Sequence, residues 1–273
     1  MLNDITLGQF FPGTSFLHRM DPRMKIILSL LYIVVVFLAK TLYSFLFLLM
    51  FTAFIVFVGK ISPKVILKSL KPLLLILIFT ALINVFFTKS GTLLLEFYFI
   101  RIYSGGLLYA LFMAIRIVCL VAGSSVILTY TTSPMDLTDA IEYLLSPLKK
   151  IKVPVHEFSM IMTIALRFIP TLIDETNKIM NAQKARGADF SNGSLLTRAK
   201  ALIPVLIPLF ISAFRRAEEL ATAMECRCYH GGEGRTRFKV LKMKTTDVLA
   251  LLCMVSFGCL LALINRYGGG LSV

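Results

Sequence analysis

The sequence has no regular cysteine framework. It contains five cysteines, an odd number, and Cys119, Cys253 and Cys259 lie inside apolar runs. Secreted disulfide-rich domains carry even numbers of cysteines at regular spacing, so we expect free thiols or a reducing compartment. The first residues also lack the charged segment, short apolar stretch and cleavage site of a signal peptide. We therefore expect the first membrane segment to be retained.

Motifs for nucleotide binding and catalysis are also missing. The segment Gly231-Gly232-Glu233-Gly234 follows a predicted helix and resembles a phosphate loop only in composition, and Gly-x4-Gly-Lys-Ser/Thr does not occur. None of the three histidines can be assigned to a Ser–His–Asp catalytic triad from the sequence. We expect a chain that is not an enzyme and holds no cofactor.

A metal site is the other chemistry considered. Cys226-x-Cys228-x-His230 offers two thiolates and an imidazole, but a closed zinc site needs four ligands and no fourth lies nearby in the sequence. We expect no metal there.

Apolar residues dominate what the sequence does contain. They make up 57% of the chain and the mean hydropathy is +0.81, values well above those of soluble domains. A full membrane crossing takes about 17–25 residues. The sequence predicts an all-α integral membrane protein with about five transmembrane helices, of which the first and third are short; the apolar segments are 26–39, 42–58, 73–87, 107–130 and 248–265.

The basic residues are unevenly distributed along the chain. There are 29 of them against 15 acids, and seventeen lie between residues 131 and 246. Cytoplasmic loops of membrane proteins carry an excess of lysine and arginine. This places the N-terminus and residues 131–246 in the cytoplasm. The excess of basic residues is thereby explained without binding to nucleic acid. Two further cytoplasmic groups precede the first and third spans: Arg19, Arg23 and Lys25, then Lys60, Lys64, Lys68 and Lys71.

Three domains follow from this pattern. Residues 1–130 form an N-terminal membrane domain with about four transmembrane helices, 131–246 form a cytoplasmic or interfacial domain, and 247–273 hold the last transmembrane helix with a short external tail. Proline and glycine punctuation divides the middle domain into about three helices, two of them long. These begin near Ser133-Pro134, Pro154 and Leu195, and the two long ones end near Arg186 and Tyr229.

A small-Arg-small pattern occurs near the ends of both long helices. Ala185-Arg186-Gly187 ends the first, and Cys226-Arg227-Cys228 ends the second, forty-one residues later. Small neighbours let a helix end approach another protein closely, and the guanidinium can make bidentate bonds. The alternative is a plain helix terminus, in which arginine favours the macrodipole and Gly187 is a cap.

Two other sets of charged residues each have a structural and a functional explanation. Arg116 is costly within a span and is therefore a candidate for function, but snorkelling or an intramolecular carbonyl partner explains it equally well. The acid pairs Asp174-Glu175 and Glu218-Glu219 are interpreted as solvated helix faces, because each has a basic residue within about a turn.

Several spaced motifs together resemble a known family. These are Asp21-Pro22-Arg23-Met24-Lys25, Thr131-Thr132, Pro147-Leu148, Arg167-Phe168-Ile169-Pro170, the two small-Arg-small motifs and Gly234-Arg235-Thr236, and they span nearly the whole chain. The sequence resembles the transmembrane T component of energy-coupling factor (ECF) transporters, which are importers of vitamins and metals in the ABC class. It departs from the usual pattern where Cys226 and Cys228 replace alanine and glycine.

The resemblance implies a non-catalytic coupling subunit of a prokaryotic cell membrane. Two cytoplasmic ATPases, the same or different, would bind ATP and Mg²⁺, and this chain would join them to a small membrane-embedded substrate-binding S component. The small-Arg-small motifs would dock into the ATPases. Residues expected at the S-component and coupling-helix interface are Met160, Met162, Ile164, Arg167, Pro170, Leu206, Pro208, Leu209 and Phe210.

Two other classes of function remain open on the sequence. One is a membrane enzyme acting on an anionic or lipid-linked substrate, with Asp174 or Glu175 as the base. The other is a simple channel, for which only Asn84, Arg116 and Ser124-Ser125 stand out as polar residues within spans.

Overall fold

The computed structural model describes residues 10–88, 90, 92–97, 100–190, 194–232 and 241–267. They divide into two compact units. The bundle unit comprises the described residues between 10 and 133 and between 241 and 267. The long-helix unit comprises those between 134 and 232.

The bundle unit contains seven of the described helices and one β-hairpin. A 3₁₀ turn (Lys71–Leu73) joins α4 to α5, and a π-helical turn (Ser125–Thr129) extends α6. The hairpin, which the sequence analysis did not predict, pairs β1 and β2 antiparallel before α6. The elements are α1 (Phe16–Arg19), α2 (Pro22–Leu38), α3 (Leu42–Gly59), α4 (Pro63–Leu70), α5 (Leu74–Phe87), β1 (Leu93–Phe97), β2 (Ile100–Tyr103), α6 (Ser104–Ser124) and α10 (Thr245–Tyr267).

The long-helix unit is built around two helices of 31 and 32 residues, α8 (Val155–Ala185) and α9 (Leu195–Cys226). Before them come α7 (Pro134–Leu144) and a 3₁₀ turn (Ser146–Ile151). Ser194 caps α9, since its side chain accepts a hydrogen bond from the Thr197 N–H. Both long helices continue through internal prolines, Pro170 in α8 and Pro204 and Pro208 in α9. The three helices predicted for this segment are therefore present.

The all-α membrane class is confirmed. Among the described residues, six helices are long and apolar enough to cross a membrane: Leu42–Gly59, Pro63–Phe87, Ser104–Thr129, Val155–Ala185, Leu196–Cys226 and Thr245–Tyr267. Four of them contain predicted spans, and the other two are the long helices. The first predicted span is α2, which has 17 residues. The third predicted span is the apolar part of a helix that begins at Pro63.

Helices α2, α3 and α6 meet around a buried tyrosine. The Tyr32 hydroxyl donates to the Cys119 carbonyl (2.9 Å) and lies 2.8 Å from the Thr52 hydroxyl. Gly123 is needed on α6, because a Cβ there would lie 2.3 Å from the Tyr32 ring. A hydrogen-bonded hydroxyl in an apolar core specifies how these helices pack.

A buried polar cluster joins the start of α2 to the segment after α6 and to the start of α10. Lys25 is 2% exposed, and its ammonium donates to the Thr131 carbonyl at 2.8 Å. Asp247 is fully buried and accepts hydrogen bonds from the backbone N–H groups of Asp21 and Lys244. Helix α2 begins at Pro22, and the Asp21 carboxylate caps it by accepting a hydrogen bond from the Arg23 N–H. Buried charges of this kind hold the chain in one arrangement because leaving them unpaired is costly.

Candidate docking sites at two helix ends

The first arginine motif forms the C-terminal cap of α8. Gly187 has φ +89°, and its N–H donates to the Lys184 carbonyl at 2.9 Å. The Ala188 N–H donates to the Gln183 carbonyl at 3.0 Å. This pair of bonds is a Schellman motif, in which the residue after the cap is left-handed and glycine avoids the steric penalty. Among the described residues, apart from its neighbours in the chain, no atom lies within 4 Å of a Cβ built on Gly187, so glycine is needed there for its backbone conformation.

The second motif forms the same cap at the end of α9. The Cys228 N–H donates to the Glu225 carbonyl at 2.8 Å, and the Tyr229 N–H donates to the Met224 carbonyl at 3.1 Å. Cys228 occupies the left-handed position with φ +54°, a conformation that is unfavourable for a side chain with a Cβ. The cysteine that departs from the family pattern therefore stands where the geometry favours glycine.

Both arginines are presented to the exterior of the long-helix unit. Arg186 and Arg227 are the cap residues of the two Schellman motifs, and both are exposed, as are Ala185 and Cys226. Within the described residues, neither guanidinium makes a hydrogen bond or an ion pair. Two planar groups with five N–H donors each are thus available at rigid helix ends.

An ion pair joins α8 to α9 at equivalent positions. The Arg216 guanidinium donates to the Glu175 carboxylate at 2.8 Å, and the Ser212 hydroxyl donates to the other oxygen of the same carboxylate. Glu175 lies eleven positions before Arg186, and Arg216 lies eleven before Arg227. The interpretation of Glu175 as a solvated surface acid is therefore wrong, since long-range packing gives it two partners. We call this group of three residues the clasp.

The two arginine ends lie on opposite sides of the clasp. A Cβ at Gly232 would lie 2.5 Å from the His156 ring at the start of α8, so the chain after α9 returns to that end. His156 itself is held by Glu142, with Nδ1 3.1 Å from the carboxylate. Five residues span at most about 18 Å, whereas Arg186 lies about 45 Å along α8 from His156. Arg186 and Arg227 are therefore about 20 Å or more apart and form two separate candidate sites.

The predicted apolar interface residues fall into three groups. Met162, Leu206 and Phe210 are exposed, Met160, Ile164 and Leu209 are partly buried, and Arg167, Pro170 and Pro208 are exposed but not large apolar side chains. Large apolar residues that the sequence analysis missed surround the first group. A search for apolar residues at helical spacing along α9 would have found most of them: Phe158 and Ile161 on α8, and Ile203, Ile207, Ile211 and Phe214 on α9.

Arg116 has an intramolecular partner in the bundle unit. Its guanidinium donates to the carbonyl of Ala39, the C-terminal cap residue of α2, at 2.7 Å, and lies 5.2 Å from the Phe45 ring centre. A cation at a helix C-terminus is stabilising, and so is one over an aromatic face. Asn265 on α10 donates to Leu38 in the same turn. Of the explanations weighed for Arg116, the structure favours the carbonyl partner.

The Cys-x-Cys-x-His segment shows no metal-binding arrangement in the part of the chain that is described. Cys226, Cys228 and His230 are exposed, and no group of three potential ligands comes together among those residues. The thiols of the described cysteines are free.

Comparison with known proteins identifies the family. The family model described as cobalt transport protein, CbiQ, matches residues 13–238. A relative from Clostridium kluyveri, named energy-coupling factor transporter transmembrane protein EcfT, is 51% identical over 270 residues, covering 98% of this chain and 100% of its own. The chain belongs to the EcfT family of energy-coupling factor transporter transmembrane proteins. The resemblance found in the sequence is thereby confirmed.

Other members of the EcfT family are similar over almost their full length. The relative from Ruminiclostridium cellulolyticum is 56% identical over 257 residues, covering 94% of this chain and 96% of its own. The one from Bacillus subtilis is 44% identical over 261 residues, with 96% and 98% covered. This chain is thus a multi-pass membrane component of an energy-coupling factor transporter, and the family name implies a complex of several subunits.

Proposed function

We propose that this chain is the non-catalytic coupling subunit of an ECF importer. It joins two cytoplasmic ABC ATPases, the same or different, to a small membrane-embedded S component for uptake of a vitamin or another micronutrient. ATP and Mg²⁺ bind to the ATPases, and this chain binds no cofactor. The long-helix unit and the N-terminus face the cytoplasm of a prokaryotic cell, an orientation that the distribution of basic residues supports.

The two matching arginine caps carry this proposal. Arg186 and Arg227 end helices with the same backbone geometry, and both guanidinium groups are exposed without a partner in the described residues. An arginine fork binds carboxylates and carbonyl oxygens strongly when a partner covers it and excludes water. Their separation of about 20 Å or more suits one ATPase at each cap.

The long helices would transmit motion from the ATPases. Each cap is eleven residues, or about 16 Å, from the clasp, so a displacement of one cap turns its helix about the point where α8 and α9 are joined. The Glu175–Arg216 pair would keep the two helices in register while their ends move. Closure of the ATPases on ATP would thereby change the relative direction of the two helices.

The S component would contact the apolar surface of the long helices. On α9, Leu206 and Phe210 lie among further exposed apolar side chains, and Phe210 packs against Phe214 with ring centres 4.6 Å apart. Exposed apolar surface of this extent in a helix that also carries charged residues is typical of an interaction site. We therefore assign Met162, Leu206 and Phe210 to this contact, and leave the partly buried Met160, Ile164 and Leu209 to packing within the unit.

The docking role is tested by reversing both charges. The tagged chain is purified from its native membrane, and the co-purifying proteins are quantified by mass spectrometry for the wild type and for Arg186→Glu with Arg227→Glu. We expect two Walker-motif ATPases and a small apolar protein with the wild type. The double variant should lose the ATPases at least tenfold, because truncating a buried charged anchor typically costs about 2–5 kcal/mol. It should keep the small apolar protein.

A matched control reverses two exposed basic residues elsewhere on the same helices. Lys178→Glu with Arg215→Glu changes the net charge equally and leaves both caps intact. This control should retain the ATPases. Retention of the ATPases by the Arg186→Glu, Arg227→Glu variant, or equal loss in the control, would contradict docking through the caps.

A further inference from the structure

A row of lysines runs along one side of α4 and into the 3₁₀ turn that follows it in the bundle unit. Lys64, Lys68 and Lys71 follow the i, i+4, i+7 spacing, which places them within about 60° of each other around a helix. All three are exposed. Ile66, on the opposite side of α4, is 9% exposed and belongs to the apolar core of the bundle. The packing of α4 therefore holds the three ammonium groups outward together, and we call them the lysine row.

The lysine row has no acidic partner in this chain as far as it is described. The sequence contains no aspartate or glutamate between residues 22 and 95. Among the described residues, Lys64, Lys68 and Lys71 make no ion pair and no hydrogen bond through their side chains. Like charges at i, i+4 positions repel each other, and no negative group in the described part of the chain balances the three lysines.

The position of the row suits a membrane surface. Helix α4 lies between α3 and α5, two strongly apolar helices, and Pro63–Phe87 as a whole is long and apolar enough to span a membrane. Leu67 lies beside the row on the helix and is 66% exposed. Apolar side chains next to lysines at the end of a span are typical of a segment that contacts both acyl chains and headgroups.

A cavity opens next to the first turn of α4. It has a volume of about 310 Å³ and is lined by residues of the N-terminal segment and of the turn between α3 and α4. Thr14, Lys60 and Ser62 contribute to its wall, and none of their side chains makes a hydrogen bond to another described residue. Two hydroxyls and an ammonium are suitable groups for a phosphate and its glycerol.

We propose that the lysine row and this cavity bind the headgroup of an anionic phospholipid in the leaflet that faces the N-terminus. The phosphodiester is held by Lys60, Thr14 and Ser62 at the cavity, and the row attracts further anionic headgroups. The site depends only on the membrane character of the chain. It is therefore independent of the coupling role, and failure of one leaves the other standing.

Native mass spectrometry measures this binding directly. The full chain, with whichever subunits accompany it, is purified in neutral detergent and titrated with phosphatidylglycerol or phosphatidylcholine of identical acyl chains. We expect phosphatidylglycerol to bind at least tenfold more tightly. The triple variant Lys64→Gln, Lys68→Gln, Lys71→Gln should lose most of this preference, because a lysine near an anionic surface contributes about fivefold, the change equivalent to ~1 kcal/mol. The corresponding triple arginine variant should keep it.

A second triple variant controls for net charge. Lys149, Lys150 and Lys152 are three exposed lysines of the long-helix unit, and changing them to glutamine removes the same charge without touching α4. This variant should keep the lipid preference. Equal binding of the two lipids by the wild type would overturn the proposal, and so would an equal loss in both glutamine variants.

Two other occupants give different outcomes. If inorganic phosphate at matched ionic strength displaces phosphatidylglycerol, the site recognises a small anion and not a lipid. If the α4 glutamine variant keeps its lipid preference but loses a co-purifying subunit, the row contacts an acidic protein surface. Either result would overturn the lipid assignment.

Discussion

At the scale of single residues, the left-handed position after each arginine decides how well the helix end is formed. Gly187 meets this requirement without strain, whereas Cys228 adopts φ +54° with a side chain. The residue after each arginine, Gly187 or Cys228, is therefore small because its backbone has a positive φ. The first position, Ala185 or Cys226, is an ordinary helical residue that is exposed.

We expect Cys228→Gly to stabilise the end of α9. A left-handed backbone conformation costs a residue with a Cβ about 1–2 kcal/mol, and glycine removes this cost. The greater conformational freedom of glycine in the unfolded chain offsets part of the stabilisation. Hydrogen exchange of the amides of Cys228 and Tyr229, which close the cap, should slow several-fold. Gly187→Ala should speed exchange at Gly187 and Ala188 in α8. Unchanged exchange in both variants would mean that the cap geometry does not limit these helix ends.

At the scale of helices, the clasp decides how α8 and α9 act together. The Glu175 and Arg216 side chains are 22% and 35% exposed, so their mutual attraction is only partly screened by water. The Ser212 hydroxyl occupies the remaining carboxylate oxygen. This arrangement also argues against Glu175 as a general base, because its carboxylate is already engaged.

We expect Glu175→Gln to lower the amount of substrate taken up per ATP hydrolysed while the ATPases still co-purify. The amide keeps the shape of the side chain but loses the charge that attracts Arg216, so the helices are less firmly joined. The reversed pair, Glu175→Arg with Arg216→Glu, should recover part of the loss. Glu218→Gln, which changes an exposed acid on α9, serves as the control and should behave as the wild type. Equal ratios in all four proteins would exclude a coupling role for the clasp.

At the scale of the whole molecule, the bundle unit is tied at the two ends of α2 by cations bonded to carbonyl groups. Lys25 joins the start of α2 to Thr131 after α6, and Arg116 joins α6 to the C-terminus of α2. These two contacts are fourteen residues apart from Lys25 to Ala39 and fifteen residues apart from Arg116 to Thr131, which agrees with α2 and α6 running antiparallel. Both bonds connect elements that are distant in sequence.

We expect Lys25→Met to destabilise the bundle unit by about 1–3 kcal/mol, because the buried Thr131 carbonyl loses its donor. The loss should appear as a lower midpoint of thermal unfolding, followed by circular dichroism in detergent. Lys40→Met removes an exposed lysine near the other end of α2 and should leave the midpoint unchanged. If the two variants unfold at the same temperature, the buried ammonium does not contribute to stability.

The sequence by itself determined the helices, the membrane class and the two arginine motifs. Helix limits follow from local rules, since apolar periodicity, the prolines Pro134 and Pro154, and the small residue after each arginine act within a few positions. The family could also be identified from the sequence, because each of its motifs is a short local stretch of the chain. The β-hairpin before α6 was missed, as its strands are short and lie between two apolar helices.

Only the tertiary structure decided which side chains meet. Glu175, Arg116 and Lys25 each have a partner between 37 and 106 residues away in sequence, and helical periodicity does not specify which helix packs against which. The same holds for the apolar faces, where packing buries Val205 and leaves Leu206 and Phe210 exposed. Pairing across helices depends on the packing of the whole unit, and this information is absent from any local stretch of the chain.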